Sequence, residues 1–96
     1  MTHPIEVRCQ PDAGGWSCQV TVGDDPAATS HEVAVSATTL TRMAPGAADP
    51  EALVRASFEF LLAREPRESI LRGFDLMVIR RYFPDWEGEI RRRLST

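Results

Sequence analysis

Two hydrophobic periods divide this chain. Over residues 5–10, Ile5, Val7 and Cys9 alternate with Glu6, Arg8 and Gln10, and over 16–22, Trp16, Cys18, Val20 and Val22 alternate with Ser17, Gln19 and Thr21. A period of two puts one set of side chains on a core and the other in water. The intervening Asp12-Ala13-Gly14-Gly15 has turn composition, so a β-hairpin is predicted. Pairing Pro11 with Trp16 sets Ile5 against Val22, Val7 against Val20 and Cys9 against Cys18. A slip of one residue would turn one strand's apolar set into water. A third strand is predicted over 31–35, where Val33 and Val35 alternate with Glu32 and Ala34 after a polar connection through Gly23-Asp24-Asp25-Pro26. Setting Val22 opposite Val33 and Val20 opposite Val35 extends the same apolar face.

The period then lengthens to that of a helix. Ser36 is a good N-cap for a short helix through Leu40 and Met43, ended by the loop at 45–48. Asp49 is placed to cap a longer one, with Pro50 at its first position and Glu51 at the positive end of its dipole. Leu53, Val54, Phe58, Leu61 and Leu62 share a face opposite Arg55 and Glu59, until Pro66 stops the run. A short turn over 68–72 offers Ile70 and Leu71 and closes at Gly73. Asp75 can cap a helix carrying Leu76, Val78, Ile79, Tyr82 and Phe83. After Pro84, the four-residue spacing of Trp86, Ile90 and Leu94 predicts a last helix with one narrow apolar stripe at the domain's edge. The fold class expected is α+β in one domain spanning 1–96: a three-stranded antiparallel meander over 1–36, then three to four helices over 37–96, packed on one face of the sheet.

Composition narrows the class without naming an activity. Ninety-six residues, 43% hydrophobic and 26% charged, suit a folded domain with one modest core. The opening Met1-Thr2-His3-Pro4 has neither the basic nor the apolar part of a leader, and no stretch reaches the roughly 18 apolar residues of a membrane span, so a cytoplasmic protein is expected. All 11 basic residues are arginine. Acids outnumber them before Arg64 and arginines predominate after it, which makes the tail mildly basic on an acidic body.

Few residues suggest chemistry. Facing cysteines on antiparallel strands are close enough for a disulfide, but a reducing cytoplasm favours two small core thiols, and that is the expectation. The two histidines, His3 and His31, match no metal-binding spacing with Cys9 and Cys18. In the register above His31 lies opposite Asp24, a solvated residue at a sheet edge about 20 Å from Cys18 and too far for a nucleophile pair. Asp24-Asp25 and Glu87 with Glu89 do not resemble acid/base pairs, and Gly14-Gly15 leads into a strand where a phosphate loop would lead into a helix. No catalytic residue, metal or cofactor is expected.

The candidate site is a surface. Arg80, Arg81, Tyr82, Trp86, Arg91 and Arg92 concentrate the residue types that dominate protein interfaces. They predict an arginine-fringed aromatic edge for an unidentified protein partner or a second copy of the chain. The expected function is a non-enzymatic accessory or regulatory module acting by protein–protein interaction, with no membrane partner.

The order of strand (31–35), short helix (37–43), turn and longer helix (50–62) resembles a ribbon-helix-helix unit. That resemblance implies a DNA-binding dimer of repressor or antitoxin type, whose strand pairs with its twin and reads the major groove through alternate side chains. Here those would be Ser30, Glu32 and Ala34, an acid and no cation, so nucleic acid is the less favoured partner. Residues 56–62, with 68–71, 74–76 and 82–84, are also similar to the tail of a group of short bacterial proteins that carry no assigned activity.

Overall fold

The computed structural model describes residues 3–95. The elements follow in the order β1 (Ile5–Asp12), β2 (Gly15–Val22), β3 (Thr29–Ser36), α1 (Ala37–Met43), α2 (Glu51–Leu62), β4 (Gly73–Asp75), α3 (Ile79–Tyr82) and α4 (Trp86–Leu94). Short 3-10 turns occupy Arg67–Ser69 and Leu76–Val78. The fold is α+β, built on a four-stranded sheet of order β1-β2-β3-β4.

The first hairpin has the predicted register, with Ile5 opposite Val22, Val7 opposite Val20 and Cys9 opposite Cys18. Its turn is the pair Ala13-Gly14, both at positive φ, a conformation glycine adopts freely. Gly15 then starts β2 so close to β3 that a Cβ there would meet the Val35 carbonyl oxygen.

The third strand departs from expectation. Val22 pairs with Thr29, Val20 with His31 and Cys18 with Val33, four residues from the predicted alignment. An even slip keeps every apolar side chain on its face, so alternation alone cannot distinguish the two registers. Three-dimensional partners decide it. The shift carries His31 from the expected solvated edge to the middle of the sheet, where it is 1% exposed.

The sheet also has a strand that the sequence did not announce. β4 pairs in parallel with β3, Glu32 against Gly73 and Ala34 against Asp75, which makes the sheet mixed and replaces the three-stranded meander. Glycine-phenylalanine-aspartate carries no alternation to read. It is recruited by the Glu32 N–H, which donates to the Arg72 carbonyl at 2.7 Å, and by His31, which binds the carbonyl of Leu71.

On the sheet's inner face, Val7, Cys18, Val20, Val22, Val33 and Val35 are buried beneath the helices, while Glu6, Arg8, Gln10, Gln19, Ser30 and Glu32 face water. Ser36 caps α1 as expected, its Oγ accepting from the Thr39 N–H. Asp49 accepts from the Glu51 N–H one position outside the N-cap of α2, which is Pro50 itself. The Phe58 ring meets His31 at 5.2 Å and Phe74 at 6.2 Å, fixing α2 across β3 and β4. Leu53, Val54, Phe58 and Leu61 are buried as predicted, but so are Ala56, Ser57 and Phe60. They lie on a second contact face, because α2 also packs against α4. The expected single helix after Asp75 is a 3-10 turn running into the four residues of α3, with Asp75 capping it through Met77 N–H. α4 starts at Trp86, which is fully buried together with Ile90.

Candidate functional site

The six residues predicted to form one surface divide among different surroundings. Trp86 leaves the set: its indole is 0% exposed and donates to Ser57 Oγ at 3.1 Å. The one apolar stripe of α4 had suggested an edge helix, but that stripe closes the core against α2.

Arg80 and Arg91 converge on Glu87. Its carboxylate accepts two hydrogen bonds from Arg42 of α1, at 2.8 and 3.2 Å, and lies 3.8 Å from Arg80 and 3.9 Å from Arg91. The Arg42 hydrogen bonds, aided by the three positive charges, hold the Glu87 carboxyl below the usual glutamate range. These arginines therefore staple α1, α3 and α4 together, with their outer portions still in water. Arg92 pairs with Glu89 one turn away. Arg91 and Arg92 border an open depression of about 780 Å³ with Pro45, Ala52 and Leu94. Arg81 is exposed, and its side chain makes no hydrogen bond or ion pair among the described residues.

Tyr82 belongs to a different feature. It is 67% exposed and borders a groove of about 340 Å³ with Leu71, itself 49% exposed. Leu61, Phe74, Val78 and Phe83 form the groove's apolar lining, with Glu65 and Ser69 as its polar contribution. The groove has firm supports. The rings of Phe60 and Phe83 meet edge to face at 5.8 Å, and the Arg64 guanidinium lies 3.5 Å above Phe60 while pairing with Asp85. Leu71 and Phe74 are positioned through β4 and the His31 bond to the Leu71 carbonyl. The sequence pattern does not reveal this groove, because it places Leu71 in a turn and carries no alternation that marks β4.

The groups best suited to reaction chemistry are committed to structure. Cys9 and Cys18 are joined in a disulfide with Cα atoms 4.0 Å apart, which corrects the expected pair of free thiols. That expectation rested on the compartment, and the facing positions are what allow the bond. His31 now lies opposite Val20, next but one to Cys18 along β2 and not the predicted distance away. Both of its nitrogens are occupied. A carbonyl oxygen can only accept, so Nδ1–H donates to Leu71 at 2.7 Å and Nε2 accepts from the Thr29 hydroxyl at 2.9 Å. Desolvation lowers the ring's pKa from the usual histidine value, the bond to Leu71 opposes that shift, and the nearby charge of Arg72 adds to it.

Arg67, 6% exposed, is likewise satisfied: it donates to Asp25, Glu68 and the Val22 carbonyl and meets His3 Nδ1 at 3.3 Å. Asp25, read from sequence as a loop carboxylate, thus anchors the β2–β3 connection to the turn after α2. Hydrogen bonding from Arg67 lowers its pKa. Among the described residues no three His, Cys, Asp or Glu side chains are grouped to hold a metal ion.

β3 lies between β2 and β4, so pairing it with a twin strand would require one neighbour to leave. Its outward Glu32 accepts a hydrogen bond from Gln19 at 3.1 Å. No described helix is long and apolar enough to cross a membrane. Comparison with protein families, curated proteins and solved structures finds no match to this chain.

Proposed function

We propose that this protein is a non-enzymatic accessory or regulatory module that binds a partner protein at the groove between Leu71 and Tyr82. One observation carries the reading: the two large apolar side chains left exposed among the described residues border the same groove. Scattered exposed apolar residues need no explanation, but exposed apolar residues that converge on one concave feature mark contact surfaces. Tyrosine brings broad apolar area with a polar tip, and Glu65 and Ser69 supply the polar groups that commonly accompany such contacts. The non-enzymatic part is supported by the structural commitments of His31, Cys9 and Cys18, each of which already has its partner.

The test is a photo-crosslinking residue at position 82, introduced in the native cell, with position 30 on the sheet's outer face as control. A protein captured at 82 and not at 30 is then purified and titrated against the parent chain, Tyr82→Ala and Leu71→Ala. Loss of about tenfold or more in affinity for each variant supports the groove. Equal capture at both positions, or equal affinity of parent and variants, rejects it.

A further inference from the structure

The sheet's other edge carries a separate inference. β1 is an outer strand of eight residues, and its backbone alternates between groups facing β2 and groups facing outward. Two hydrogen bonds fix which are which. The Pro4 carbonyl accepts from the Gly23 N–H at 2.8 Å, so the even-numbered residues face β2. The Ile5 carbonyl accepts from Arg55 of α2, so the odd-numbered ones face away. The N–H groups of Ile5, Val7 and Cys9 and the carbonyls of Val7 and Cys9 thus form an open ladder.

We propose that this ladder pairs antiparallel with β1 of a second copy, centred on Val7, to make one continuous eight-stranded sheet. The sequence around Val7 is self-complementary. In this register Val7 meets Val7 of the partner copy, Ile5 meets Cys9, and Glu6 meets Arg8, each of the last two pairs occurring twice by symmetry. Shifting the centre to Glu6 or Arg8 sets like charges face to face, and centring on Cys9 opposes Glu6 to Asp12. Centring on Gln10 pairs Arg8 with Asp12, but it sets Pro11, which has no N–H to donate, inside the ladder opposite Cys9 and runs into the turn at Ala13-Gly14. Only the register about Val7 pairs opposite charges over an unbroken ladder. Within one chain Arg8 and Glu6 form only a loose pair at 3.6 Å with both side chains mostly in water, so both are available to a partner.

Charged residues and proline are common means of keeping an edge strand unpaired. Here they do not obstruct. Pro11, which lacks an outward N–H, falls opposite His3 at the end of the paired stretch, and the Ile5 carbonyl retains a second lone pair beside Arg55. The pairing would also close over a depression of about 390 Å³ beside the edge, lined by Ile5, Arg55, Glu59 and Leu62.

Sedimentation equilibrium of the full chain from low micromolar to millimolar concentration tests this. The parent protein should approach twice its monomer mass. Glu6→Arg, at an exposed position, should weaken association by about tenfold or more, because two attractive pairs become repulsive. The double exchange Glu6→Arg with Arg8→Glu should restore it, and Tyr82→Ala should leave it unchanged, which separates this edge from the groove. A parent chain that stays monomeric, a Glu6→Arg variant that dimerises as well as the parent, or a double exchange that fails to restore pairing would each overturn the proposal.

Discussion

Trp86 Nε1 donates to Ser57 Oγ at 3.1 Å, and the same hydroxyl donates to the Leu53 carbonyl one turn back along α2 at 2.8 Å. This pair joins α2 and α4 through a polar contact inside an apolar core. Ser57→Ala should cost about 1 to 3 kcal/mol, because it leaves a buried indole N–H without an acceptor. Trp86→Phe removes the donor as well as some packing. In a double-mutant cycle read by urea unfolding, the two substitutions together should cost less than the sum of their separate effects. Strict additivity would mean that the hydrogen bond contributes nothing.

Phe58 is the contact between α2 and the sheet, with no exposed surface and with aromatic neighbours on β3 and β4. Truncation to alanine should lower stability by about 3 to 5 kcal/mol. An unchanged melting curve would show that this helix face does not form the core.

The lowered pKa of His31 sets a direction for acid sensitivity. The folded state favours the neutral ring, so stability is complete above the unfolded-state value of about 6.5. It should decline as pH falls from there toward the depressed folded value, since the unfolded chain takes up the proton first. Urea midpoints measured from neutral to mildly acidic pH should show this fall in the parent and a smaller one in His31→Phe. Identical pH profiles would remove His31 as the cause. The carboxyls of Asp25 and Glu68, lowered chiefly by hydrogen bonding from Arg67 and from the Glu68 backbone respectively, act only at more acidic pH.

The Cys9–Cys18 bond closes a short loop across the hairpin, with a sequence separation of nine. Reduction should destabilise the protein by about 2 to 3 kcal/mol on the chain-entropy estimate. Thiol titration of the denatured, unreduced protein should find no free thiol. Two free thiols in protein taken directly from cells would instead fit the reducing compartment expected from the sequence.

How much could be read from the chain follows from the reach of each signal. Ile5 through Val22 form a hairpin whose turn and alternation lie side by side in sequence, and its register was legible. β3 was legible in existence and in facing, but its alignment depends on His31 finding Leu71 and on Arg67 reaching Asp25 and Val22, contacts some 40 residues away. The main helix showed its sheet-facing stripe, whereas the burial of Ser57 and Phe60 required knowing that α4 returns to cover them. For the same reason Trp86 looked like a surface aromatic. Tyr82 and the arginines were recognisable as interface types, yet only β4 brings Leu71 and Phe74 beside Tyr82.

The hydrogen bond from His31 to the Leu71 carbonyl has a consequence for synthesis. When the first three strands leave the ribosome, the imidazole in their midst still lacks its acceptor, and the fourth strand has not been made. The imidazole must wait for its acceptor for roughly another 40 residues, a few seconds at ordinary elongation rates, even once α2 has covered the sheet's greasy side. A stalled or shortened chain ending before Leu71 would therefore be a natural client for chaperones and proteases, however well its opening hairpin had formed.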